Sequence, residues 1–364
     1  MSLVLDNISL IVRDESHLSN VNLSLESGSF NVLLGRTLAG KTSLMRLIAG
    51  LEKPTMGRVV LHGQDITDIK VQNRNISMVY QQFVNYPNLT VWDNIASPLR
   101  IAKVKESEIA RRVQETAAIL QIEPFLKRYP LELSGGQQQR TSMARALVKD
   151  AGIILFDEPL VNLDYKLREE LRYELRELLA ERDTIAIYAT TEPNEAMALG
   201  GITTLLHEGR AIQSGAAAEV YRHPETVEAA ALFSEPSINL IKGHLSSNKV
   251  SFANNVQFPI DDELVGFDSG DYIFGVLPSH IGLAPNHDDD LELSMTVELA
   301  EISGSETYMH VHNKHFELIV QVNGVHEYHT RVPIKVYLPT HKLFVFDLQG
   351  KTIQVPSSLK KGAA

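Results

Sequence analysis

Gly35-Arg36-Thr37-Leu38-Ala39-Gly40-Lys41-Thr42 fits the pattern G-x-x-x-x-G-K-[ST], and a loop of this kind works only where a strand hands over to a helix. The flanking sequence meets that demand. Phe30-Asn31-Val32-Leu33-Leu34 predicts a buried strand, and residues 42–49 predict a helix with Leu44, Leu47 and Ile48 on one face before Gly50. In that setting the backbone N–H groups of the loop and of the helix N-terminus surround phosphate oxygens. Lys41 supplies a point charge for the outer phosphates, and the Thr42 hydroxyl can ligate Mg²⁺. Ser43 follows within the first helical turn. The Lys41 side chain is expected to be largely solvated without nucleotide.

Ile153-Ile154-Leu155-Phe156 predicts a second buried strand, and it ends in Asp157-Glu158. Asp157 is placed to hold a metal's water shell, and Glu158 to polarise an attacking water as general base. Leu133-Ser134-Gly135-Gly136-Gln137 stands just ahead of a predicted helix over 136–149. Ser and two glycines at a helix N-terminus make a second anion cradle, with exposed N–H groups, a hydroxyl donor and a favourable dipole. Two phosphate cradles so far apart in one chain suggest that one serves a nucleotide held by another molecule.

The 364 residues are too many for one ordinary domain. The first regime, 1–235, alternates apolar runs with amphipathic stretches and reads as mixed α/β, with 82–150 mostly helical and a charged helix over 165–182. From 236 to 364 short strands such as Tyr272-Ile273-Phe274-Gly275-Val276 follow one another between Gly, Pro, Asn and Asp, which predicts a small barrel-like all-β domain. Asp288-Asp289-Asp290 reads as a solvated loop, and Met197 with its neighbouring alanines as helix core. His310 and His312 alternate along a strand with no carboxylate evidently paired, so no metal site is assigned there. No apolar run is long enough to span a bilayer, no secretory leader is expected at the start, and the absence of cysteine excludes disulfides and thiolate metal sites. A net charge of −11 opposes a generalised phosphate-backbone binder, so no nucleic-acid partner is expected.

Taken in order, the phosphate loop, Gln81 in Val79-Tyr80-Gln81, the segment Leu133-Ser134-Gly135-Gly136-Gln137, Asp157-Glu158 and Asn162-Leu163-Asp164 resemble the ATP-binding-cassette (ABC) family over essentially the whole chain. Val84-Asn85-Tyr86-Pro87-Asn88-Leu89-Thr90-Val91 and the β-rich second part are similar to importers of the maltose and glycerol-phosphate type. The Thr-Thr-Glu-Pro segment looks most like one of the two unlike ATPases of bacterial glycerol importers. The resemblance implies an ABC cassette with a helical subdomain, followed by an OB-like regulatory domain. It also implies a transport ATPase using ATP and Mg²⁺, peripheral on the cytoplasmic face of the inner membrane. Its expected partners are a second cassette, two transmembrane permease subunits and, indirectly, an extracytoplasmic solute-binding protein. Carried over residue by residue, ATP is held by Gly35, Arg36, Thr37, Leu38, Ala39, Gly40, Lys41, Thr42 and Ser43, with Val12 at the adenine position. The partner's ATP is held by Ser134, Gly135, Gly136 and Gln137. The metal falls to Thr42, Gln81 and Asp157, catalysis to Glu158 and Gln81, and the dimer contact to Asp164.

Three positions depart from the family pattern. Leu38 stands where a glycine is usual, Val12 where an aromatic normally stacks on adenine, and Thr191 at the switch position, where threonine cannot carry the charge of a histidine. All three fall on the phosphate-loop half, whereas the signature segment is intact. That asymmetry predicts a heterodimer with a non-identical ATPase, in which this chain's own site is degenerate. The alternative is a non-hydrolysing regulatory nucleotide-binding subunit.

Overall fold

The structure, a computed structural model, describes residues 2–28, 30–161, 163–180, 182–246, 249–253, 256–259, 267–356 and 359. Asn162 of the segment Asn162-Leu163-Asp164 lies outside them. The chain divides into two compact units, Met1–Ala217 and Ala218–Ala364.

The first unit is built on two sheets. One is antiparallel, in the order Glu15–Glu26, Ser2–Val12, Met56–Leu61, Gln64–Asp65. The other has six strands, in the order Arg210–Ala216, Ile202–His207, Phe30–Leu34, Ile185–Thr190, Ile153–Asp157, Ile76–Val79. All of its pairings are parallel except that of the edge strand Arg210–Ala216. Phe30–Leu34, Ile153–Asp157 and Ile185–Thr190 are buried at every position, as expected of parallel strands covered on both faces. The helix Lys41–Ala49 turns Leu44, Met45, Leu47 and Ile48 into one core with Leu3, Leu5 and Leu23 of the antiparallel sheet and Leu33, Leu155 and Ile187 of the parallel one.

Register places the site. Leu34 lies opposite Thr190, and Asp157 opposite Ala189, on the two sides of Ile185–Thr190. The ends of the phosphate-loop strand and of the carboxylate strand are therefore level at one sheet edge, two strand spacings or about 10 Å apart.

The expected helical stretch holds three helices, Val91–Ile101, Glu106–Ile119 and Gly135–Leu147. Thr90 caps the first by accepting from the Asp93 N–H. Ser134 and Gln137 close a reciprocal capping box on the third. The charged helix runs Tyr165–Ala180, burying only Leu171, Leu175 and Leu179 on its apolar stripe. Met197 corrects the sequence reading. It is exposed on the short helix Pro193–Leu199, which turns Ala196 and Leu199 inward instead.

The second unit is all-β in its body. Six antiparallel strands run in the order Val256–Pro259, Lys249–Phe252, Asn239–Leu245, Gly270–Val276, Phe344–Phe346, Thr352–Gln354. Four more run Glu317–Asn323, Glu306–His312, Leu291–Ser303, Pro333–Leu338. Both sheets turn apolar faces to one core, with Ile241, Phe252 and Phe274 from the first and Val297, Met309 and Val336 from the second. The boundary falls earlier than 235/236. The helix Val227–Phe233 packs Ala230 against Ile238, Leu277, Phe344 and Phe346, and the Val227 N–H donates to Gly350 O. An amphipathic pattern states which face is buried but not which sheet buries it, so sequence assigned 218–235 to the wrong unit.

Candidate nucleotide site

The helix Lys41–Ala49 begins at Gly40, whose φ of 100° suits only glycine and whose lack of a side chain leaves the helix without a side-chain cap. The first helical amides are thus free for a ligand. A Cβ on Gly35 would meet Leu206 O at 2.5 Å and the Ala39 Cβ at 2.9 Å, so that glycine is also required by packing. Lys41 Nζ folds across the loop, donating to Gly35 O at 2.7 Å and Arg36 O at 3.2 Å, and pairs with Glu158 at 3.3 Å. Its side chain is only 5% exposed, which corrects the expectation that it stands in solvent. Burial holds its ammonium below the usual lysine range, against the opposing pull of Glu158.

Thr42 Oγ1 donates to Asp157 Oδ1 at 3.2 Å, and Gln81 Nε2 donates to Glu158 Oε2 at 3.0 Å. Burial raises the Asp157 carboxyl above its ordinary range, partly offset by the Thr42 hydrogen bond. Two motifs and Gln81, far apart in sequence, therefore meet through direct side-chain contacts. Thr42, Gln81 and Asp157 carry oxygens of the hard kind that suits Mg²⁺ and are the residues that could hold it. Above them opens a cleft of about 420 Å³, lined by Thr37, Leu38, Ala39, Gly40, Lys41, Thr42, Ser43, Gln81, Glu158 and by Glu15, Ser16 and His17. The volume is that of a small-molecule site. Ser134, Gly135, Gly136 and Gln137 do not line it. They form the exposed or half-exposed N-terminus of Gly135–Leu147.

The chain is 34% identical to the sn-glycerol-3-phosphate import ATP-binding protein UgpC of Paraburkholderia xenovorans, across 91% of this chain and 92% of that protein. It belongs to the ABC transporter ATPases. The UgpC protein of Ruegeria pomeroyi is 35% identical across 97% of this chain and 99% of its own. The ABC transporter family model matches residues 18–161, a span that holds the phosphate loop, Gln81, the signature segment, Asp157 and Glu158. Among solved structures, the ATP-binding cassette MJ0796, in a dimeric post-hydrolysis state bound to ADP and Pi, is 30% identical with a TM-score of 0.55. That match covers 59% of this chain and 98% of the other.

Within this ABC cassette one of the three departures, Leu38, lines the cleft, and the other two stand apart from it. Leu38 is 96% exposed at a φ of 68°, a left-handed conformation unusual for a leucine. Val12 packs against the core between the sheets and is not among the cleft-lining residues. Thr191 is exposed just beyond Ile185–Thr190 and also stands apart from the lining, while its neighbour Glu192 is held by Arg168 at 2.8 Å. Asp164 is exposed and accepts from the Leu167 N–H at 3.0 Å.

Sequence reasoning missed the wall formed by Glu15, Ser16 and His17. His17 Nδ1 lies 3.3 Å from Ser43 Oγ, and a Cβ on Gly40 would meet His17 O at 2.9 Å. No motif marks these residues. The available signal was topological: a strand that starts beside the phosphate loop lends its first residues to the pocket.

Proposed function

We propose that this chain is the ATP-binding subunit of an importer for glycerol, a glycerol phosphate or a related polyol or sugar. The observation that carries the reading is the convergence of Lys41, Glu158 and Gln81 in one cleft, on a chain that matches import ATP-binding proteins along nearly its full length. Mg-ATP binds with its phosphates among the free amides after Gly40, its charge met by Lys41 and its metal by Thr42, Gln81 and Asp157. Glu158 holds the attacking water. When ATP enters, its phosphate replaces the Gly35 and Arg36 carbonyls as the partner of Lys41, and the ammonium stays charged because the incoming anion favours that form.

The signature segment, apart from this cleft, serves the nucleotide of a second cassette arranged head to tail. Because the departures from the family pattern fall on the phosphate-loop half while the signature segment is intact, that second cassette is non-identical, and the composite site using this Ser134 carries most of the turnover. Val84, Tyr86 and Pro87 form an exposed, partly apolar loop that meets two permease subunits at the cytoplasmic face of the inner membrane. A solute-binding protein acts on the far side, and the second unit is regulatory. No described helix is long and apolar enough to cross a membrane, in keeping with a peripheral subunit.

Purification of the intact complex from its source, with all subunits identified by mass spectrometry and substrate uptake measured in vesicles, tests this reading. Two permeases, a second cassette and ATP-driven polyol uptake are expected. A chain recovered without membrane subunits would refute it. The exposed Thr191 favours one further reading, a subunit that binds ATP without hydrolysing it: Glu158→Gln should then leave turnover of the complex wholly unchanged, whereas a partial loss marks residual hydrolysis in this chain's own cleft.

A further inference from the structure

The helix Gly135–Leu147 carries two polar side chains, one buried and one half-buried, that the nucleotide site does not use. Gln139 is fully buried, and its Nε2 donates to Pro159 O, the carbonyl immediately after Glu158. Arg145 Nη2 donates to Val84 O, and its guanidinium lies 4.8 Å from the centre of the Tyr86 ring. Six residues of helix separate them, about 9 Å along the axis and about 120° around it, so they reach different neighbours from one rigid rod.

Other contacts reinforce these ties. A Cβ on Gly136 would sit 3.0 Å from the Leu163 side chain, so the helix start is also packed against the segment beyond Glu158. Beside Gln139, Asn85 Nδ2 donates to Gln138 O at 2.8 Å, so the exposed loop is held at this part of the helix as well. Asn94, fully buried, donates to Tyr86 O, Leu89 O and Thr90 O and accepts from the Tyr86 N–H and from Arg145. An exposed loop has no need of so many bonds for its own sake. They fix residues 84–90 to helices rather than to solvent, although Val84 and Tyr86 keep about half their surface open.

We propose that Gln139 and Arg145 are positioning residues that make Gly135–Leu147 a strut, tying the catalytic loop after Glu158 to the exposed loop 84–90, so that nucleotide binding at Lys41 is felt by the loop that meets the membrane subunits. This rests on the importer reading only for the destination of the signal. The strut itself lies within one chain. A shorter route exists through Gln81, which contacts Glu158 directly, and the test must separate the two.

Hydrogen exchange on the purified full chain does so. In the wild type, Mg-ATP should slow exchange of the amides of 84–90 at least threefold. Gln139→Met keeps the volume but removes the donor, and Arg145→Lys keeps the charge but loses the fork and the ring contact. Both should abolish that nucleotide effect while ATP affinity, measured by calorimetry, stays within about twofold, which also certifies that the variants fold. Arg145→Lys should in addition speed basal exchange of 84–90 about tenfold. A wild-type loop indifferent to nucleotide, or an effect that survives both substitutions and so travels through Gln81, would overturn the strut. In the reconstituted complex, polyol moved per ATP hydrolysed should fall about tenfold in either variant. A wild-type chain that recruits no membrane subunit would instead refute the importer reading, and the exchange result would still decide the strut.

Discussion

The floor and the rim of the nucleotide cleft are built differently. Lys41 and Asp157 are almost wholly buried and tied to Glu158 and Thr42 by direct contacts, because the strands that deliver them are covered on both faces and held in register. At the rim Leu38 is exposed, while Thr191, also exposed, stands apart from the lining and Val12 packs against the core. The difference teaches that the groups delivered by the sheet are fixed by its register, whereas Leu38, Thr191 and Val12 are separable from it. On the proposed reading, a cassette can therefore keep binding while its chemistry passes to a composite site elsewhere.

The comparison breaks most sharply at the signature helix. Ser134→Arg places a bulky cation in the cradle and should lower turnover of the whole complex about a hundredfold or more. Glu158→Gln, confined to this chain's own cleft, should leave much of the rate. Equal and near-complete losses from both would mean two working sites. Next in size is Lys41→Ala, which should weaken Mg-ATP binding about a hundredfold, or ~2.7 kcal/mol, as read by calorimetry. Because Lys41 is buried and bonded to two carbonyls and Glu158, the same change should also cost about 1–3 kcal/mol of unfolding free energy without nucleotide. An unchanged denaturation midpoint would show that the floor is looser than its contacts suggest.

A smaller effect tests the rim. Thr191→His restores an imidazole at the switch position and should raise turnover of the isolated chain by at least about tenfold. No gain would place the defect at Leu38 or Val12 instead. The smallest effect concerns stability and pH. Burial raises the Asp157 carboxyl in the folded state, so between its unfolded and folded pKa values the folded protein binds the extra proton, and stability falls as pH rises through that window. Asp157→Asn should therefore melt above the wild type at neutral pH without metal, with the gap closing as pH drops through the carboxylate range. A lower melting point for the variant would mean that its bond from Thr42 outweighs burial.

What could be read in the sequence was local. The strand, loop and helix around Gly35 to Thr42 advertise themselves by adjacent residues, as do the two carboxylates after Phe156 and the glycines after Ser134. Contacts made over long stretches of chain left no such trace. His17 enters the cleft because a strand edge passes the loop, Lys41 folds onto the Gly35 and Arg36 carbonyls and pairs with the distant Glu158, and Gln139 and Arg145 read as ordinary polar residues of a helix until their carbonyl partners are known. The second unit's strands are legible from turn residues and alternation, whereas nothing in the pattern of Val227–Phe233 names the sheet that this helix covers.

Binding and turnover measured on one preparation of the isolated wild-type chain test most directly the claim that floor and rim are separable. Calorimetry should show saturable, one-to-one binding of Mg-ATP, while a phosphate-release assay on the same sample shows slow or no hydrolysis. Brisk turnover abolished by Glu158→Gln, or no binding at all, would contradict it.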